Sequence, residues 1–136
     1  MKKLFVAILG VTLLTGCVTT NQSVLGTQNS QVETRNYQSR TFDTTDKKMV
    51  MRSVIATMED LGFIIDRADE TLGTVSGTSF KNNSKMTVSV RPMGTKQMLV
   101  RANASARLNE ITNPTAYQNF FNALSQSLFL DAHMVV

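Results

Sequence analysis

Residues 37–136 predict a two-layer α+β sandwich, in which an antiparallel sheet of four to five strands carries two helices on one face. Three observations predict it. Val50, Val54, Met58 and Leu61 recur at spacings of four, four and three, which is the stripe of an amphipathic helix. Tyr117, Phe120, Phe121, Leu124 and Leu128 draw a second stripe of the same kind. Between them, Met86, Val88 and Val90, and then Met98, Val100, Ala102, Ala104 and Ala106, alternate with polar residues, as strands do when one face is buried and the other wet. Two helices with one apolar face each need a common apolar surface, and a one-sided sheet supplies it. The expected order is β-α-β-β-β-β-α.

Each element has its own local signal. Tyr37 to Thr44 carries Tyr, Phe and Thr in a strand-like stretch. Thr44 or Thr45 can cap the helix that follows, with Asp46 in its first turn against the positive end of the dipole. That helix is expected from about Asp46 to Leu61, and Gly62 can close it in a left-handed conformation. Phe63 to Asp66 starts a strand, and Asp66 to Leu72 (DRADETL) reads as the polar turn after it. Gly73 to Phe80 is the next strand, and Lys81-Asn82-Asn83-Ser84 the next turn. The strand through Met86, Val88 and Val90 ends at the turn Pro92 to Thr95, and the one after it is expected to run on to Arg107. Asn113 is a good N-cap, and Pro114 stands where proline is preferred, at the first helical position of a helix reaching about Asp131.

The chain has 136 residues, a formal net charge of +4, one Cys, one His and no Trp. That length holds one core. A single Cys excludes an intramolecular disulfide, a Cys-x-x-Cys redox pair and a Cys/His zinc cluster.

The N-terminus reads as a processing signal. Met1-Lys2-Lys3 is a short basic region, and Leu4 to Leu14 is an apolar run of eleven residues. A spanning helix needs roughly 20 apolar residues, so this run fits the core of a secretory signal. Leu14-Thr15-Gly16-Cys17 follows it directly. Small residues before a Cys in that position resemble the lipobox of bacterial lipoproteins. The resemblance implies cleavage after Gly16, a diacylglyceryl group on the Cys17 thiol and an acyl chain, such as palmitate, on its new amino group. It implies no cofactor beyond these covalent chains. One acyl chain holds a protein marginally at about 0.8 kcal/mol per buried CH₂, whereas two or three hold it stably. An ordinary signal peptide cleaved near Gly16 would leave a free thiol instead. Val18, where an Asp would mark retention in the inner membrane, resembles the class sorted to the periplasmic face of the outer membrane. Loss of residues 1–16 removes Lys2 and Lys3 and leaves twelve basic against ten acidic residues.

Residues 17–36 are expected to be the lipidated Cys and a flexible polar tether. Twelve of the nineteen residues from Val18 to Asn36 are Ser, Thr, Asn or Gln, and no helical or strand period is sustained. Fully extended, that segment spans about 60 Å at ~3.3 Å per residue.

Several phrases of residues 37–131 resemble an uncharacterised family of small proteobacterial lipoproteins. They include Arg40-Thr41-Phe42-Asp43, Glu59-Asp60-Leu61-Gly62-Phe63, Leu72-Gly73-Thr74-Val75, Tyr117-Gln118, Phe120-Phe121 and Ser127-Leu128-Phe129-Leu130. That resemblance implies a compartment and a fold pattern but no reaction. The element order is also similar to the helix-grip domains found in a lipoprotein of the barrel assembly machinery, a likeness of architecture that carries no function.

Groups for catalysis or metal binding are sparse. His133 is the only imidazole and has no partner of its kind. Glu59, Asp60, Asp66, Asp69 and Glu70 suggest an acidic end of the domain, without the ligand register and central Gly of an EF-hand loop. Gly73, Gly77 and Gly94 form no phosphate-cradling loop before a helix. No catalytic residue or metal ligand is therefore assigned, and the chain is read as a non-enzyme. The five methionines Met49, Met51, Met58, Met86 and Met98 are read as core filler.

One charge pattern stands out. Thr71 to Asn109 contains Lys81, Lys85, Arg91, Lys96, Arg101 and Arg107 and no acid. Strand alternation puts Lys85, Arg91, Arg101 and Arg107 on the sheet face away from the helices. Such a face can simply be solvated, its charge keeping it from aggregating. Alternatively it can dock an anionic surface, whether lipid head groups, lipopolysaccharide phosphates or an acidic protein patch. Nucleic acid is not expected, since the strands lack aromatic stacking residues. The functional expectation is a lipid-anchored periplasmic protein that acts by binding, as an accessory or scaffold of an envelope assembly or transport complex. The alternative is a structural envelope protein whose basic sheet face contacts anionic lipid or lipopolysaccharide.

Overall fold

Among residues 31–133, which the computed structural model describes, a long helical stripe and a one-sided sheet meet as expected. The order is α1 (Gln31–Tyr37), β1 (Ser39–Phe42), α2 (Lys47–Asp60), β2 (Ile64–Asp69), β3 (Thr74–Ser79), β4 (Ser84–Met93), β5 (Gln97–Ala106), β6 (Asn109–Glu110) and α3 (Pro114–His133). The strands form one open antiparallel sheet in the order β1-β5-β4-β3-β2, with β6 also pairing with β5. The architecture is α+β. The Leu14-Thr15-Gly16-Cys17 motif and residues 18–30 of the expected tether lie outside the described residues.

The core is the layer between helices and sheet. Val50, Val54 and Met58 of α2, Val75, Val88, Val90, Val100 and Ala102 of the sheet, and Tyr117, Phe120 and Leu124 of α3 are all fully buried there. Met51, Met58, Met86 and Met98 are core residues, and Met49 packs on the edge of the same cluster. The two helices are joined across the layer by Ser53 Oγ, which donates to Asp131 Oδ2 at 2.7 Å.

Local chemistry sets the element ends. Asp46, not Thr44 or Thr45, caps α2, its side chain accepting the Met49 N–H at 3.0 Å. Thr44 Oγ1 accepts the Asp46 N–H instead, so it organises the residue before the helix. Gly62 leaves α2 at φ +90, as its place in the sequence predicts. At Gly77 the reason for glycine is space. A Cβ there would stand 2.9 Å from Ile64 O and 3.0 Å from Met58 Cε, where β2 and α2 close on β3. Asn113 caps α3 through the Thr115 N–H at 3.0 Å.

Four boundaries differ from expectation. Residues 31–36, expected to end the tether, belong to α1, which is held by tertiary contacts: Tyr37 Oη donates to Thr112 O at 2.6 Å and its ring lies 5.7 Å from that of Tyr117. β2 continues through Asp69, because an irregularity between Ile65 and Arg67 absorbs Asp66 and lets the ladder with β3 go on. β4 extends over Pro92 and Met93, leaving only residues 94–96 as the turn. β5 stops at Ala106. Arg107 enters a hairpin turn at φ +57, and β6 returns along the end of β5.

Candidate functional site

The helices cover one face of the sheet and leave the other open. Along β4, Ser84, Met86, Val88 and Val90 are buried under the helices, whereas Lys85, Thr87 and Arg91 are exposed and Ser89 half-buried on the opposite side. Strand register extends the open face in rows. Thr41, Leu99 and Arg91 stand side by side, and Ser39, Arg101, Ser89, Thr74 and Asp69 form the next row. Asn103, Thr87, Ser76 and Arg67 follow, and Ser105, Lys85, Thr78 and Ile64 come after them.

Of the four cations expected on this face, Lys85, Arg91 and Arg101 are there and Arg107 is not. Arg107 lies in the β5–β6 turn, beyond the alternation that would have placed it, because the left-handed residue ends the strand. Arg91 lies opposite Leu99, so Arg101, two residues along β5, is its diagonal neighbour at about 7–8 Å. Two unit charges at about 7 Å repel by only about 0.6 kcal/mol in water, so the pair is tolerated while it raises the local positive potential.

The open face is not uniformly basic. Asp66 and Asp69 of β2 occupy its far edge, where Asp66 Oδ2 accepts from Thr78 Oγ1 at 2.7 Å. Asp69 Oδ1 accepts the Leu72 N–H at 2.9 Å, and its other oxygen pairs with Arg67 at 3.4 Å. The backbone hydrogen bond first, and the Arg67 charge after it, hold the Asp69 carboxyl below its ordinary range. The face is therefore polarised, acidic at β2 and basic across β4 and β5.

The expected acidic end dissolves into separate partners. Glu59 and Asp60 finish at the end of α2 that leads into β2, whereas Asp69 and Glu70 lie at the opposite end of that strand. Glu70 pairs with Lys48 at 3.8 Å. Among the described residues, no group of three or more His, Cys, Asp or Glu side chains converges to hold a metal ion. His133 Nδ1 lies 2.7 Å from Phe129 O and its ring stacks on Phe129 at 4.0 Å, so the imidazole finishes its own helix.

A wide, open hollow lies at the β1 edge of the open face. There a cleft of about 480 Å³ is lined by Arg35 and Asn36 near the end of α1, Ser39 and Thr41 of β1, and Leu99 and Arg101 of β5. Met93 and part of Arg40 also border it, and among the described residues no carboxylate lines it. Arg101 Nε donates to Ser39 Oγ at 3.2 Å, which ties the guanidinium to β1. Arg40, on the same strand, turns to the other face. Its guanidinium lies 5.2 Å from the centre of the Phe121 ring, and Nη1 donates to Ser125 Oγ at 3.3 Å. Sequence reasoning missed Arg35, Ser39 and Thr41 as site residues, since α1 has no apolar period and β1 is too short to show its alternation.

A second, smaller groove of about 340 Å³ lies between α2 and β2, where the Lys48–Glu70 pair partly neutralises it. No known family model matches the chain, and no curated protein matches it.

Proposed function

We propose that the chain is a membrane-anchored lipoprotein of the bacterial envelope that acts by binding, as an accessory or scaffold of an envelope assembly or transport complex. Cys17 carries the anchor, the periplasmic face of the outer membrane is the site of action, and the open sheet face is the docking surface. One observation carries the docking part of this reading: Arg91 and Arg101 stand as diagonal neighbours on a face that neither α2 nor α3 covers, and among the described residues no carboxylate pairs with either. Cations on one open face without a counter-charge attract an anionic surface and steer its approach.

The test is affinity capture from detergent-solubilised envelope, comparing wild type with the Arg91→Glu/Arg101→Glu variant. Loss of a defined protein partner in the variant, with the fold intact, supports docking through this face. An unchanged partner set contradicts it.

A second reading is a structural envelope protein that meets anionic lipid or lipopolysaccharide with the same face. The cleft at the β1 edge favours it, because its polar lining side chains are all arginine, amide or hydroxyl. In the same comparison, loss of lipid or lipopolysaccharide without loss of any protein is the outcome this reading expects.

A further inference from the structure

The cleft between α1, β1 and β5 has a chemistry more specific than a basic surface. Arg101 spends Nε on Ser39, which leaves its Nη1–Nη2 edge without a hydrogen bond among the described residues. That edge is the fork that grips a phosphate with two parallel bonds. Arg35 brings a second guanidinium from α1, and Thr41, exposed on β1, brings a hydroxyl donor. Neither arginine pairs with a carboxylate among the described residues. Beside these donors lie two apolar side chains, the half-buried Leu99 and Met93, which is 49% exposed. A free inorganic anion has no use for them.

We propose that this cleft binds a phosphate group carried on an apolar body, that is, a phosphorylated membrane amphiphile. Arg101 and Arg35 hold the phosphate, Thr41 adds a hydrogen bond, and Leu99 and Met93 take the first carbons of the apolar part. The proposal rests on the second reading above and gives it a site. α1 is also the described element nearest Cys17 along the chain, thirteen residues (18–30) from it, a reach of at most about 45 Å. An anchored domain meets lipid at an effective concentration in the millimolar range, so a weak site suffices.

The test uses the full chain in neutral detergent, titrated separately with hexyl phosphate, inorganic phosphate and hexanol, and read by calorimetry and by the arginine side-chain N–H signals. Hexyl phosphate is expected to bind saturably and about tenfold more tightly than inorganic phosphate, while hexanol does not bind. Arg101→Gln is expected to weaken hexyl phosphate about tenfold, the loss of a charge-assisted pair. Arg35→Gln weakens it less, and Lys81→Gln, in the β3–β4 turn at the other end of the sheet, leaves it unchanged. Absence of saturable binding, equal affinity for inorganic phosphate, or full binding by Arg101→Gln overturns the proposal. The titration needs neither acyl chains on Cys17 nor a protein partner. If anchoring or envelope capture fails while hexyl phosphate still binds, the proposed function falls and the cleft stands. If capture succeeds while the titration fails, the reverse holds.

Discussion

Tyr117 Oη accepts the backbone N–H of Ala104 at 3.1 Å, a side chain of α3 standing in for a missing strand of the sheet. β1 pairs with residues 98–101 of β5 and β6 with residues 105–106, so the edge of β5 is open between them. Gln38 O and the Ile111 N–H fill part of that gap, binding Ala102 and Ala104 at 2.8 Å each. The phenol closes the rest: it also accepts from Gln38 Nε2 at 3.2 Å and donates to Ile111 O at 2.6 Å. Tyr117→Phe keeps the ring and takes this partner from the buried Ala104 N–H and from Ile111 O, while Gln38 Nε2 keeps its bond to Glu110. The expected loss is about 2 kcal/mol, a fall in melting temperature of about 10 °C for a domain of this size. Thermal unfolding followed by circular dichroism checks it.

The same phenol sets an alkaline limit. Burial, as the largest cause, raises its pKa above the ordinary tyrosine value, against the opposing hydrogen bonds from Ala104 and Gln38. In the unfolded chain the group ionises near pH ~10, whereas in the folded chain it holds its proton further. Its contribution is therefore complete below about pH 10 and is lost as pH rises through the folded value. Urea midpoints from pH 8 to 11 are expected to fall more steeply in wild type than in Tyr117→Phe.

Gly77→Ala tests the contact between layers. The added methyl meets a backbone carbonyl as well as the flexible end of Met58, so the strand has to shift. A loss of about 1–3 kcal/mol is expected, the range for overpacking a filled interior. A urea midpoint equal to that of wild type would show that the close approach of β2 to β3 is not maintained.

Arg40 and Arg101 lie one register step apart on neighbouring strands and face opposite ways. Arg40 covers Phe121 and bonds to α3, so Arg40→Ala is expected to cost about 1 kcal/mol of stability. Arg101 is exposed, and Arg101→Gln is expected to stay within ±0.5 kcal/mol. Chemical denaturation of the pair separates the arginine that holds the fold from the arginine left for a ligand.

These elements also mark how far the sequence could be read. The stripe of Val50, Val54 and Met58, the alternation of β4 and β5, and the Asn113-Pro114 start of α3 are local patterns, and each became the element it announces. What escaped is held by distant partners. α1 carries no apolar stripe and stands because Tyr37 reaches Thr112 and Tyr117. The DRAD run of β2 has turn composition, and only its ladder with β3 makes it a strand. The two residues of β6 are too few to show a period.

The candidate site divides the same way. Lys85, Arg91 and Arg101 could be placed on the open face by counting in twos. Arg107 could not, because the count continues through a position where the backbone has already turned. The cleft itself joins α1 to β5 across more than sixty residues, and no window of sequence contains both.

The anchor has its own prediction. Cells fed radiolabelled palmitate are expected to label the wild-type chain and not Cys17→Ser. Equal labelling of the two would remove the lipid anchor from the proposal.

The binding role of the open face is tested most directly by photocrosslinking in living cells. A photoreactive residue is placed at Thr87 or Asn103, in the middle of that face, and in a separate strain at Arg52 on α2. Adducts with envelope protein or lipid from Thr87 and Asn103, absent from Arg52 and lost with Arg91→Glu/Arg101→Glu, are the predicted result. Adducts from Arg52 alone, or unaffected by the charge reversal, would contradict it.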